Sequence, residues 1–182
     1  HTPYPDDASW AGLFEMAETY EEQEELQVYD NIEFFESPSA QDKQYDSPEE
    51  VLKALFGYDS FRAGQKEVID SILAGRDAFA VMPTGAGKSV CYQVPAMLLS
   101  GITIVISPLI SLMQDQVKSL NEAGVSAAFI NSSLSEHAYF ETVRKARQGV
   151  YKIIYVAPER LVTEGFLDLA ENVKISMVTV DE

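Results

Sequence analysis

The sequence contains one cysteine, Cys91, and two histidines, His1 and His137. So few soft ligands exclude a disulfide framework, and they exclude a four-ligand zinc site built from this chain alone. Bases are scarce as well. There are 13 Lys and Arg against 29 Asp and Glu, a formal charge of −16, which excludes a basic nucleic-acid-coating surface and a binder of anionic membranes. No apolar run approaches the roughly 20 residues that span a bilayer, and no signal-peptide pattern opens the chain. What remains is a length of 182 residues, enough for a domain that buries about two-thirds of its unfolded surface. A cytosolic globular protein of α/β type, without a membrane partner, is expected.

The negative charge is concentrated. Residues 1–50 hold fifteen acids and a single base, Lys43, for a net −14, whereas residues 51–182 hold 14 acids and 12 bases, for a net −2. A shift of this size marks a domain boundary. The polar, aperiodic segment Glu36–Asp46 reads as a linker. Ser47-Pro48-Glu49-Glu50 then combines an N-cap serine, a proline at the first helical position and a glutamate at the third. This capping box predicts a helix to about Phe56, stopped by Gly57. The chain therefore divides into an acidic, aromatic-containing leader and linker, residues 1–46, and a body, residues 47–182. Within the leader, Trp10, Leu13, Phe14, Ala17 and Glu21 fall at helical spacing, which predicts a short amphipathic helix over Ala8–Val28.

From residue 63 onward the pattern alternates. Helical periodicity covers Gly64–Leu73, Lys88–Leu99, Leu109–Ala123, Leu134–Gln148 and Glu159–Ala170. Strand-like apolar runs cover Asp77–Met82, Ile102–Ser107, Ser126–Ile130, Tyr151–Ala157 and Ile175–Val180. Short β-rich runs separated by such helices predict βαβ units and a mostly parallel sheet with helices on both faces.

The run Ala78–Met82 leads directly into Pro83-Thr84-Gly85-Ala86-Gly87-Lys88-Ser89, followed by a helix. Strand, glycine-rich loop and helix are the context of a phosphate-binding loop. Gly85 and Gly87 allow the backbone to fold tightly, so that successive N–H groups, with those of Thr84 and Ala86, face phosphate oxygens. The helix start adds its positive dipole end. In such a loop Lys88 reaches the β- and γ-phosphates, and the Ser89 hydroxyl holds Mg²⁺. The general pattern places glycine at its first position, where this chain has Met82. The sequence closes on Ile175-Ser-Met-Val-Thr-Val-Asp181-Glu182, an apolar strand that delivers two carboxylates. It reads as a Walker-B strand, with Asp181 orienting Mg²⁺ and Glu182 positioning the attacking water. ATP and Mg²⁺ are the expected ligands.

Together these motifs resemble the RecQ family of superfamily 2 DNA helicases over residues 50–182. Leu55-Phe-Gly-Tyr-Asp-Ser-Phe-Arg-Ala-Gly-Gln65 is similar to that family's adenine-recognition motif. The resemblance implies that Gln65 hydrogen-bonds the adenine edge and that Tyr58 and Arg62 stack near the base or contact the nucleotide. Met82–Ser89 is similar to the family's phosphate loop, including the methionine, with Ala86 in place of the usual glycine. Val105–Gln116 is similar to motif Ia and Tyr155–Leu161 to motif Ib. The resemblance implies that these two segments line a single-strand track, gripping phosphates mainly through backbone N–H groups and small hydroxyls. Ser107, Asn131 and Arg160 are the candidate contacts. The fold implied is a first RecA-like P-loop domain, incomplete at its C-terminal end. The activity implied for the parent protein is ATP-driven 3′-to-5′ unwinding of single-stranded and duplex DNA in repair and recombination, in a bacterial-type cytosol or nucleoid. Because the chain starts with His and stops two residues into the Walker-B tetrad, a fragment is expected, one that binds nucleotide but hydrolyses it poorly.

Two other readings compete. The leader mixes acids with large apolar groups (Asp6, Asp7, Trp10, Leu13, Phe14), a combination suited to docking on a basic, apolar groove of a protein partner. It could equally fold back over the DNA track as an autoinhibitory mimic, or be a solvated extension. The phosphate loop alone would also suit an ATPase that is not a helicase. Cys91 is expected to be a small buried apolar residue, and Leu112 and Met113 to pack in the core.

Overall fold

A computed structural model describes residues 45–181 of the chain. The expected leader helix over 8–28 and the terminal Glu182 lie outside the described residues.

The capping box forms. The Ser47 hydroxyl accepts from the Glu50 N–H at 3.2 Å, and the Glu50 carboxylate reaches back to accept from the Asp46 N–H at 2.9 Å. The helix so begun, α1 (Pro48–Val51), widens into a π-helical turn over Leu52–Phe56. Gly57 ends it at φ 71°, in the left-handed region that glycine enters without a steric penalty. Val51 and Leu52 are buried and anchor this helix to the body.

The elements that follow are α2 (Gln65–Leu73), α3 (Lys88–Leu98), β1 (Ile102–Ile106), α4 (Ile110–Glu122), β2 (Ala127–Ile130), α5 (Glu136–Arg147), β3 (Ile153–Val156), a 3₁₀ turn (Pro158–Arg160), α6 (Glu164–Asn172) and β4 (Ile175–Val180). Every strand pair is parallel, in the order β2-β3-β1-β4. Strand side chains alternate between faces, and here both faces are covered. Val105, Ala127, Ile153 and Tyr155 pack with α1, α2, α3 and α4 through Val51, Ile69, Val94, Met113 and Val117. Ile102, Ile104, Ala128, Ile154 and Val156 pack with α5 and α6 through Val143, Ala146, Phe166 and Leu169. The α/β architecture with helices on both faces is as expected. Cys91 and Met113 are buried, Cys91 with its thiol pushed up by burial. Among the described residues no helix is long and apolar enough to cross a membrane.

Two expectations are corrected. Asp77–Met82 forms no strand; its backbone joins no ladder, and Phe79 and Val81 stand 94% and 85% exposed. Its apolar content is right for a strand, but a strand also needs a neighbour for its N–H and C=O groups, which local sequence does not encode. The expected helix over Glu159–Ala170 is two elements. Thr163 sits in an extended conformation and turns its hydroxyl to the Arg160 carbonyl at 2.7 Å, so the 3₁₀ turn ends before α6 starts.

Ile154 lies on an interior strand and is fully buried. Replacing it by alanine is expected to lower unfolding stability by about 2–5 kcal/mol, read as a lower urea midpoint at unchanged slope.

Candidate functional site

Parallel strands all end at one edge, and this edge gathers the candidate residues. Three hydrogen bonds continue the ladders one residue beyond the strands: Ala157 N to Ile130 O at 2.9 Å, Ser107 N to Val156 O at 3.2 Å and Asp181 N to Ile106 O at 2.8 Å. At the α3 side of this edge lies a cavity of about 560 Å³, lined by Tyr58, Arg62, Gln65, Lys88, Ser89 and Asp181 among others.

The glycine-rich loop forms one wall. A turn bonds Ala86 N to Pro83 O at 3.1 Å, and Gly85 and Gly87 both take positive φ, 79° and 82°. Gly87 is the residue from which α3 starts, and no side chain caps that end. A helix start without a side-chain cap suits an anionic group. Lys88 and Ser89 are the first two residues of α3 and line the cavity; Thr84 is exposed on the loop.

The segment before α2 grips this loop. Arg62 donates from Nη1 to the Gly85 carbonyl at 2.6 Å, and its guanidinium lies 6.0 Å from the ring centre of the half-exposed Tyr58. Gln65 is 3% exposed. Its Oε1 accepts from the Arg62 N–H at 2.9 Å, while Nε2 donates to the carbonyls of Gly87 at 3.0 Å and Ala86 at 3.2 Å. Both amide hydrogens are thus committed to the loop. A two-point contact between Gln65 and an adenine edge requires giving these bonds up. Gly87 has a second constraint here, since a Cβ on it would meet Gln65 Nε2 at 2.6 Å.

Asp181 faces the loop from the end of β4. Its Oδ2 accepts from the Tyr92 hydroxyl at 2.9 Å, and the Ser89 hydroxyl interacts with the same phenol. Among the described residues no cluster of three or more His, Cys, Asp or Glu could hold a metal by itself. One hydroxyl and one carboxylate at a cavity suit a different arrangement, in which phosphate oxygens and water complete the shell of a small hard cation. The donor set present therefore fits Mg²⁺ held together with a polyphosphate.

The nucleic-acid candidates are placed less favourably. Ser107 is 2% exposed, and its hydroxyl faces the Leu109 N–H at 3.4 Å. Asn131 is fully buried; its Oδ1 accepts from the N–H and the hydroxyl of Ser133 at 2.9 and 2.7 Å, and its Nδ2 has no partner among the described residues. Both side chains brace their own loops, so direct side-chain contact with a strand is not available as they stand. Arg160 is half-buried, with its guanidinium 6.0 Å from the Tyr139 ring centre.

Four residues near Asp181 were not singled out from sequence: Tyr92, Gln93, Tyr155 and Gln116. Gln93 Nε2 donates to Gln116 Oε1 at 3.0 Å and to the Tyr155 hydroxyl at 3.0 Å, and the two phenol oxygens lie 3.3 Å apart. Burial pushes the pKa of each phenol up, so each keeps its proton at neutral pH. The available signal was polar atoms inside apolar runs: Tyr92-Gln93 within Val90–Met97, and Tyr155 within Ile153–Val156.

A family model described as DEAD/DEAH box helicase matches residues 62–182. The chain is 48% identical over 133 residues to the ATP-dependent DNA helicase RecQ of Pasteurella multocida and 47% identical over 133 residues to that of Bacillus subtilis. It aligns over 73% and 72% of its own length, but over only 21% and 22% of theirs. It is also 47% identical over 133 residues to the ATP-dependent DNA helicase Q-like 5 of Arabidopsis thaliana, covering 72% of this chain and 14% of that one. The chain thus spans about a fifth of the length of the bacterial relatives it matches. Among solved structures, the DUF1998 helicase MrfA bound to DNA and AMPPNP superposes with a TM-score of 0.58 at 21% identity, over 77% of this chain and 22% of that one. That likeness concerns the fold.

The Gln65–Gly87 contact can be tested directly. Gly87→Ala adds both the positive-φ penalty and a clash, and is expected to destabilise by about 1–3 kcal/mol. In a thermal-unfolding double-mutant cycle, Gln65→Ala combined with Gly87→Ala should recover the clash component. Strict additivity would mean that the two residues do not meet.

Proposed function

The chain belongs to the DEAD/DEAH box helicase family, and from that membership we propose that it is the ATP-binding part of a RecQ-like DNA helicase. The observation that carries the proposal is the meeting of the Pro83–Ser89 loop, the Tyr58–Gln65 segment and Asp181 around one cavity. In this reading the loop backbone from Thr84 to Ser89, apart from the Ala86 N–H that Pro83 O holds, and the uncapped start of α3 face the phosphates. Lys88 supplies a positive charge at the terminal phosphate. Ser89 and Asp181 furnish oxygens for Mg²⁺, which when bound neutralises charge on the phosphate oxygens. Glu182 orients the attacking water. Tyr58 and Arg62 flank the base, and Gln65 reads its edge after releasing the loop.

The remaining roles belong to the whole protein. A second RecA-like domain would close over the nucleotide with an arginine finger, coupling hydrolysis to 3′-to-5′ movement along DNA. The segments after β1, β2 and β3 would meet the strand chiefly through backbone N–H groups, with Arg160 as the side chain best placed for phosphate. Work on DNA locates the protein in the cytosol or nucleoid, and residues 1–46 would form a leader separate from this ATP-binding part, residues 47–182. The leader's charge of −12 supports a second, compatible role, as an acidic segment that docks on a basic partner or covers the DNA track. Deleting 1–46 from the parent helicase should then raise DNA affinity and steepen its salt dependence; an unchanged salt slope removes the DNA-track role.

The isolated chain is expected to bind ATP–Mg²⁺ weakly and to hydrolyse it negligibly, because losing an arginine finger lowers turnover by about 10³–10⁵-fold. Titration with a fluorescent ATP analogue should give saturable binding that Lys88→Ala abolishes. DNA-stimulated turnover by these 182 residues would contradict the incomplete-site reading.

A further inference from the structure

A line of side chains runs from Asp181 through the interior to α4: Asp181, Tyr92, Tyr155, Gln93 and Gln116. They come from four elements, with Tyr92 and Gln93 on α3, Tyr155 on β3, Gln116 on α4 and Asp181 after β4. Tyr92, Gln93 and Tyr155 are 4%, 3% and 1% exposed. Phe and Leu at these places would fill similar volume without polar atoms to satisfy. A buried polar chain is costly unless every member is paired, so its presence calls for a function beyond packing.

Hydrogen-bond chemistry fixes the direction of the chain. A carboxylate oxygen only accepts, so the Tyr92 hydrogen is spent on Asp181 Oδ2 at 2.9 Å. The 3.3 Å contact between the phenols then needs Tyr155 as donor. Tyr155 in turn accepts from Gln93 Nε2, whose other hydrogen goes to Gln116 Oε1. Every hydrogen between Gln93 and Asp181 therefore points toward Asp181. The chain can only supply donors to that carboxylate. It occupies part of Oδ2 and leaves Oδ1 for other ligands.

We propose that Tyr92 is a positioning residue for Asp181, its hydroxyl held by Tyr155, which Gln93 holds in turn, so that the carboxylate presents Oδ1 to the cation of a bound nucleotide. The inference rests on the nucleotide-binding reading above and deepens it. A hydrogen bond to the far side of a ligating carboxylate fixes its orientation, and loss of such a partner typically weakens metal binding by about 10–100-fold.

The test uses the chain as it is, a fluorescent ATP analogue as probe, and Mg²⁺ added to an EDTA-treated sample. Tyr92→Phe removes one oxygen and keeps the ring. It should raise the Mg²⁺ concentration for half-maximal effect by about tenfold, while analogue affinity in EDTA stays within twofold. The same change on an Asp181→Asn background should have no further effect, because Tyr92 acts through that carboxylate. Tyr155→Phe, one step removed, should shift the Mg²⁺ midpoint in the same direction by a smaller factor, and it carries the test if Tyr92→Phe fails to fold. An unmoved midpoint, a matching loss of affinity in EDTA, or an effect that persists with Asp181→Asn would overturn the proposal. Failure of the unaltered chain to bind the analogue at all would overturn the nucleotide reading itself, and is seen before any variant is made.

Discussion

Everything at the functional edge depends on the parallel ladder about β1. Parallel pairing forces all strands to finish on the same side, and the ladder here does not stop where the strands do. Ser107, Ala157 and Asp181 each donate a backbone N–H to the last carbonyl of a neighbouring strand. The loops that leave the sheet therefore start from positions set to within a hydrogen bond of one another. Ser107, Ala157 and Asp181, far apart in sequence, share one row, and open α/β sheets bind ligands at such a row. Covering both faces with helices keeps this row rigid. It also leaves the strand ends as the open side toward which α3 delivers the phosphate loop.

That loop has unusual support for a segment rich in glycine. Gln65 and Arg62, from the segment leading into α2, bind three of its carbonyl groups. A loop whose carbonyls are held in this way keeps one backbone shape although Gly85 and Gly87 both sit at positive φ. The amide of Gln65 is thus a strut of the loop in this structure and a reader of the base in the proposed nucleotide complex. The two uses compete for the same hydrogens. Nucleotide entry and loop rearrangement would then be one event.

Local chemistry was legible in the sequence, and pairing across distance was not. The capping box at Ser47, the stop at Gly57, the positive-φ glycines of the loop and the burial of Met113 and Cys91 follow from neighbours within a few residues, where spacing carries the information. Asp77–Met82 has strand-like composition, but no partner joins it, and nothing within six residues states whether one is present. Asn131 reads as a candidate nucleic-acid contact; only the fold shows it closed over its own turn. Tyr92 and Tyr155 stand 63 positions apart. Sequence shows each as an aromatic in an apolar run, the usual mark of core, and their contact exists only after β3 and α3 have packed.

The outer side of β4 carries a consequence of its own. This strand ends the order β2-β3-β1-β4, and Val178 and Val180 lie on it at 58% and 72% exposure, with no charged residue between Ile175 and Val180. Phe79 and Val81, equally uncovered, precede the loop. Natural sheets blunt such borders with lysine, proline or a bulge, since bare backbone and apolar side chains recruit strands from other molecules. Along β4 the register shifts once, between Ile175 and Met177, and the stretch Met177–Val180 beyond that bulge pairs regularly and carries neither lysine nor proline. Among the described residues, this regular stretch is therefore where chains at high concentration would meet edge to edge, and added salt, by screening their like charge, would hasten it.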